Sequence, residues 1–122
     1  MLERLTDESF ARRRANFYEK IEKYKASNWK DFDDSPDDFE IRNYAYLYEL
    51  YGQMVRNGSI EFAMVAGMLQ YLAVYDWKEF EPAAQHLAKR FGNGGVWWND
   101  FKWLSEETEK HMSRRKSPIE KK

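Results

Sequence analysis

The stretch NYAYLYELYGQ, from Asn43 to Gln53, decides the fold because it concentrates four tyrosines in a pattern with helical spacing. At about 100° per residue, Tyr44, Tyr48 and Tyr51 share one side of a helix. The neighbouring apolar residues widen that side to an arc of roughly 220°, more than a helix on a protein surface needs. The pattern therefore predicts the core of a helical bundle, with the hydroxyl groups reaching its rim. An aromatic pocket for a small apolar ligand is the alternative.

Length and composition favour one soluble domain. The 122 residues are 43% hydrophobic, 17% aromatic and 34% charged, which indicates strongly amphipathic elements. The absence of cysteine excludes disulfides, thiolate metal sites and a cysteine nucleophile. The N-terminal segment has no apolar run, so we expect no secretory leader and a cytoplasmic location. The net charge of -1 argues against general binding to nucleic acids or membranes.

Capping signals divide the chain into helices. Ser35 and Pro36 are typical of a helix start, Asn57 and Gly58 of a helix end, and Asp76 of a capping box that begins a further helix. The predicted helices are about Thr6–Ala26, Pro36–Arg56, Ser59–Tyr75, Asp76–Phe91 and Val96–Met112. The prediction is an all-α, single-domain bundle of about five helices over residues 1–112, followed by a flexible basic tail at 113–122.

The third predicted helix, SIEFAMVAGMLQYLAVY, is apolar nearly all round. It is too short and too interrupted for a confident membrane span, so we expect it to be buried, either centrally or at a subunit contact. Ala63, Gly67 and other small residues would let a second helix approach closely. That helix is either the second helix, at its Ala45 and Gly52 edge, or the same helix of a second subunit. We favour the second interpretation, a homodimer.

Several motifs together resemble a known family. They are Tyr48-Glu49, Gly58 with Ile60, Trp77 followed by Pro82, Arg90, and Phe101 with Leu104. This pattern is similar to that of a family of small helical domains of unknown function in bacteria, archaea and their mobile elements. The resemblance covers about Ile41 to Leu104 and implies a helical fold without established catalytic residues. Many members carry an N-terminal membrane helix, which we do not expect here.

Residues with catalytic or metal-binding chemistry are sparse. His86 and His111 fall on different predicted helices and lack the usual spacing of metal ligands. No nucleophile elbow and no phosphate-binding loop is present. We therefore expect no catalytic residues, no cofactor and no metal.

Charge is concentrated at two places. The segment DFDDSPDD, from Asp31 to Asp38, contains five aspartates, and we call it the acidic loop. It lacks the glycine and the final glutamate of an EF-hand. We interpret it as a solvated turn with favourable charge at a helix N-terminus, or as weak cation binding or an acidic docking surface. The basic C-terminal tail is interpreted as solubilising, with phosphate contact as the alternative.

The last predicted helix should face the core with a stripe formed by Trp97, Phe101, Leu104 and Thr108. An interaction surface is predicted around Trp103, which lies off this stripe, with Val96 nearby. The alternative is that Trp103 is covered by the N-terminal Leu2 and Leu5 or packs in a dimer. The acidic residues Asp31, Asp33 and Asp34 complete the predicted surface.

The sequence favours a non-catalytic helical module for protein interaction or regulation, whose partner is an unknown protein or a second copy. One alternative is a nucleic-acid-linked protein, or an inhibitor of a nucleic-acid-binding complex, acting through the acidic loop or the basic tail. Direct binding of nucleic acid is disfavoured. A ligand-binding aromatic pocket is the other alternative.

Overall fold

The computed structural model describes residues 8–69, 71–92 and 98–120, with side chains to residue 114, and within this part it contains five helices and no strand. The helices are α1 Glu8–Ala26, α2 Pro36–Arg56, α3 Phe62–Leu69, α4 Leu72–Phe91 and α5 Asn99–Glu120. The structure confirms the predicted all-α bundle.

Four of the helices surround the core. α2 packs against α1 and α5, and α4 also packs against α1 and α5. Each of these four helices therefore contacts two of the other three. The short α3 packs mainly against α5. This arrangement leaves α3 at the side of the bundle.

Helix α2 begins and ends as its sequence predicts. The hydroxyl of Ser35 accepts a hydrogen bond from the backbone N–H of Asp38 at 3.1 Å, and Pro36 occupies the first turn. After the helix, Gly58 takes a left-handed conformation with φ of 84°. These local signals need no tertiary contact, which is why the sequence placed both ends of α2 correctly.

The core is a layer of stacked aromatic rings. Tyr48 on α2 stacks on Phe101 of α5, with ring centroids 4.6 Å apart and an interplanar angle of 12°. Phe80 of α4 stacks on the same Phe101 at 5.8 Å, and it also stacks on Phe17 of α1 at 5.9 Å. The four helices of the bundle therefore share one continuous aromatic core.

The predicted boundary between the third and fourth helices is wrong. α3 ends at Leu69 and α4 begins at Leu72, so Asp76 lies inside α4 and caps nothing. Its carboxylate is fully buried. An acidic residue near a helix start resembles a cap in the sequence, but here tertiary hydrogen bonds hold it inside the bundle.

The prediction that the third helix is buried centrally is also wrong. Val65, Ala66 and Leu69 are buried, but Ala63, Met64 and Gly67 are exposed. The other four helices already surround the core, so α3 contributes only one side to it.

Helix α5 begins at Asn99 and continues beyond the predicted end at Met112 to Glu120. Phe101, Leu104 and Thr108 are buried, as their spacing predicted. Val96 and Trp97 lie outside the described residues, as do Leu2 and Leu5.

Helices α2 and α5 approach each other most closely at Gly52. A Cβ atom at Gly52 would lie 2.4 Å from the backbone oxygen of Asp100. Backbone atoms cannot yield as a flexible side chain does. The absence of a side chain at this position therefore sets the spacing between the two helices.

We expect Gly52→Ala to lower the free energy of unfolding by about 1–3 kcal/mol or more, because it overpacks this contact. Gln53→Ala is the control, since Gln53 is the next residue of α2 and is exposed. It should change the free energy of unfolding by less than about 0.5 kcal/mol. Urea unfolding measures both changes, and equal effects would contradict the close approach at Gly52.

Candidate functional site

One polar cluster surrounds the buried carboxylate of Asp76. Its Oδ1 accepts hydrogen bonds from Arg14 Nε at 2.8 Å and from the Tyr18 hydroxyl at 2.7 Å. Its Oδ2 accepts hydrogen bonds from the hydroxyls of Tyr44 at 2.6 Å and Tyr48 at 2.7 Å. One side chain of α4 thus binds two donors from α1 and two from α2.

This Asp76 cluster stabilises the fold through tyrosine hydroxyls that keep their protons. Burial raises the pKa of the Tyr44 and Tyr48 hydroxyls well above its ordinary value, and the negative charge of Asp76 raises it further. The pKa of Tyr18 is raised for the same reasons. All three hydroxyls therefore remain donors near neutral pH, and they compensate for the burial of the carboxylate.

Replacement of Asp76 tests this role. Asp76→Ala should lower the free energy of unfolding by about 3–5 kcal/mol, because it leaves the arginine and the hydroxyls without their acceptor. Tyr48→Phe removes one hydrogen bond to a carboxylate and should cost about 1.5–3 kcal/mol.

The matched control is Glu81→Ala, an exposed acid on the same helix. It should change the free energy of unfolding by less than about 0.5 kcal/mol. A similarly small effect of Asp76→Ala in chemical denaturation would contradict the proposed role of the cluster.

A second polar contact joins α2 to the start of α5. Glu49 Oε1 accepts a hydrogen bond from the backbone N–H of Phe101 at 2.8 Å. Burial raises the pKa of Glu49 to about 7, and the negative charge of the adjacent Asp100 adds to this increase. Asp100 itself pairs with Arg56, with Arg56 Nη1 2.6 Å from Asp100 Oδ1. Glu49 thus satisfies a backbone donor in the first turn of α5.

The raised pKa of Glu49 gives stability a definite pH dependence. A glutamate with an ordinary pKa of 4.5 in the unfolded chain and about 7 in the fold binds its proton more tightly when folded. Its contribution is fully present below pH 4.5 and is lost as pH rises through 7. Glu49→Gln should therefore show a smaller fall in urea midpoint from pH 5 to pH 8 than the wild type. Glu106→Gln, an exposed change on α5, should retain the wild-type fall, and an unchanged fall in Glu49→Gln would exclude this contribution.

The acidic loop is held against α4. Arg90 Nη1 lies 2.7 Å from Asp38 Oδ2, and Arg90 Nη2 lies 2.5 Å from Asp34 Oδ1. His86 Nε2 lies 2.7 Å from Asp33 Oδ1. Asp33 and Asp34, both predicted as surface acids, thus have partners on α4, and they are exposed, as is Asp31. Asp38 is fully buried, which the sequence did not predict.

The segment from Asn28 to Asp34 has an unusual backbone. Asn28, Trp29, Asp31 and Asp34 all have positive φ, a conformation that costs most residues free energy. The Trp29 ring stacks on His86, with centroids 5.1 Å apart. The ion pairs with Arg90 and this stacking offset the backbone cost. No group of three metal-ligating side chains occurs in the described part of the chain.

Trp103 is half-buried. Its ring packs edge-on against Phe62 of α3 at 6.5 Å, and the Arg56 guanidinium lies 4.7 Å from its centre. The structure therefore shows α3 and Arg56 covering part of this residue. Val96, which was predicted to lie beside Trp103 in the contact surface, is outside the described residues.

An exposed and uncharged surface of the described residues lies on α3. We call the exposed residues Ala63, Met64 and Gly67 the α3 face; they fall within about 100° of one another around the helix. Met64 is 50% exposed. Nearby in sequence, Tyr75 in the first turn of α4 is 54% exposed. The whole of α3 contains no charged residue.

The fold and these contacts define a small all-α domain built around a buried carboxylate. The chain belongs to the family described as a domain of unknown function, DUF4760, whose family model matches residues 1–108. This match confirms the resemblance to a family of unknown function. No curated protein and no solved structure matches the chain. Among the described helices, none is both long and apolar enough to cross a membrane.

The motifs that suggested the family have structural roles. Tyr48 binds Asp76, Glu49 binds the start of α5, and Arg90 binds the acidic loop. The sequence interpretation recognised these positions but missed the buried Asp76, which accepts the hydrogen bond of Tyr48. The sequence contains a signal for the burial of Asp76. This residue directly follows the apolar run YLAVY and lies about one helical turn before Phe80.

Proposed function

We propose that this domain is a non-catalytic interaction module that binds a second copy of itself through the α3 face. The exposure of an uncharged, apolar surface carries this proposal. Charged residues make up 34% of the chain, yet none lies between Phe62 and Tyr75. Burial of such a surface in a contact removes apolar area from water, which favours association.

The chemistry of the α3 face favours a copy of the same chain as its partner. A two-fold contact places equivalent residues near each other, so like charges would oppose it. The α3 face has no charges, and this penalty is absent. Ala63 and Gly67 also allow close approach of two helix backbones, while Met64 adapts to an irregular apolar surface.

The polar clusters support a role without catalysis. Each oxygen of Asp76 accepts two hydrogen bonds from within the bundle. Glu49 binds a backbone N–H of α5, and Arg90 binds the acidic loop. These charged groups serve contacts between helices, and their geometry directs them inward.

Substitution of Met64 tests the proposed contact. The wild-type protein should be dimeric at micromolar concentration in light scattering, and Met64→Glu should shift it to a monomer. The reason is that a two-fold contact would bring two buried carboxylates together. Circular dichroism should remain helical, because Met64 is 50% exposed in the single chain.

Phe39→Glu is the matched control, because Phe39 is 52% exposed on α2. It should leave the dimer intact. A wild-type monomer at these concentrations would overturn the proposal of self-association. A dimer disrupted equally by both substitutions would place the contact elsewhere.

A further inference from the structure

A cavity of about 280 Å³ lies between α1 and α2. Its floor is apolar and consists of Phe17, Ile41 and Tyr44, each at most 2% exposed. The rings of Phe17 and Tyr44 pack together, with centroids 4.3 Å apart. These side chains belong to the core, so packing fixes the shape of the floor. Since an apolar cavity of about 150 Å³ holds benzene, this space admits a single ring with a small substituent.

The charges at one end of the cavity balance each other. Lys20 lines this end and pairs with Glu40, and its Nζ also lies 3.2 Å from Asp37 Oδ1. Lys23 Nζ lies 4.0 Å from Asp37 Oδ2. Two lysines therefore face two acids, and a charged ligand gains little at this end.

Arg13 lies at the other end, about two helical turns or about 10 Å before Lys20 along α1. The central carbon of its guanidinium lies 6.0 Å from the centre of the Tyr44 ring. No carboxylate pairs with Arg13 among the described residues, whereas the neighbouring Arg14 binds Asp76. This end of the cavity therefore carries a positive charge without a counter-charge.

Two amide side chains also line the cavity. They belong to Asn16 of α1 and Asn43 of α2, and both residues are exposed. A side-chain amide offers two N–H donors, and a guanidinium binds a carboxylate through parallel hydrogen bonds. Arg13 and the two amides thus supply the kind of donors that a carboxylate requires.

We propose that this cavity binds a small monocarboxylate with a compact apolar body, such as a single ring. The carboxylate accepts hydrogen bonds from Arg13 and from the two amides, and the apolar body covers the floor. A neutral ligand would leave the charge of Arg13 unmatched, and a cationic ligand would be repelled by it. An inorganic anion has no apolar part to place on the floor. The α3 face contributes no residue to this cavity, so the two proposals are independent.

Nuclear magnetic resonance of the ¹⁵N-labelled whole chain tests the site, with benzoate as the probe. The side-chain amide signals of Asn16 and Asn43 should shift, and the shifts should saturate in the millimolar range, as expected for so small a ligand. Benzyl alcohol keeps the ring without the charge, and acetate keeps the charge without the ring. Each should bind at least about threefold more weakly than benzoate, because it makes only part of the contacts.

Arg13→Gln removes the charge and should leave the circular dichroism helical, because Arg13 is exposed. It should weaken benzoate binding about threefold to tenfold, since a charged donor is lost from a solvent-accessible site. Arg12→Gln is the matched control, because Arg12 is the adjacent exposed arginine and does not line the cavity. It should change the affinity by less than about twofold.

The absence of a saturable shift with benzoate would overturn the proposal, since the cavity would then hold water only. Equal affinities for benzoate and benzyl alcohol would exclude recognition of the carboxylate, and equal affinities for benzoate and acetate would exclude a contact with the floor. An equal loss of affinity in Arg13→Gln and Arg12→Gln would reduce the effect to the overall charge of α1 and would overturn the proposal as well.

Discussion

The buried carboxylate of Asp76 is the interaction on which the bundle depends. It lies on α4, yet its four hydrogen-bond donors come from α1 and α2. A buried charge is costly unless each lone pair finds a partner. The positions of three helices are therefore coupled, because a displacement of any one would leave part of the carboxylate without a donor. The aromatic rings that carry two of these hydroxyls also form the apolar core, so packing and hydrogen bonding constrain the same side chains.

Two further polar contacts extend this arrangement around the bundle. Glu49 attaches α2 to the first turn of α5, and Arg90 attaches the acidic loop to α4. Both use charged residues that a sequence reading assigns to the surface. Within the described residues, the buried charged side chains are Asp38, Glu49 and Asp76. The α3 face is the uncharged surface to which our proposal assigns recognition.

Membership in DUF4760 agrees with this structural account. Three residues by which the family was recognised, Tyr48, Glu49 and Arg90, make contacts within the bundle. Our proposal assigns recognition of a second copy to the α3 face.

The sequence by itself determined the local features of this protein. The periodicity of Tyr44, Tyr48 and Tyr51 gave the core side of α2, but the prediction was wrong for the fourth tyrosine, Tyr46, which is 53% exposed. Ser35, Pro36 and Gly58 gave the ends of α2. The spacing of Phe101, Leu104 and Thr108 gave the buried side of α5. These features depend on neighbours within about one or two helical turns, which is the range over which sequence spacing and capping act.

Only the tertiary structure decided which side chains contact one another within the chain. Asp76 resembled a cap and is a buried acceptor, because its donors lie 28 to 62 residues away in the chain. The acidic loop resembled a solvated turn, but Arg90 and His86 bind it from α4. The third helix resembled a buried one, and four other helices already fill the core. In each case the deciding contact joins residues distant in sequence, and local pattern carries no information about which distant group will meet a side chain.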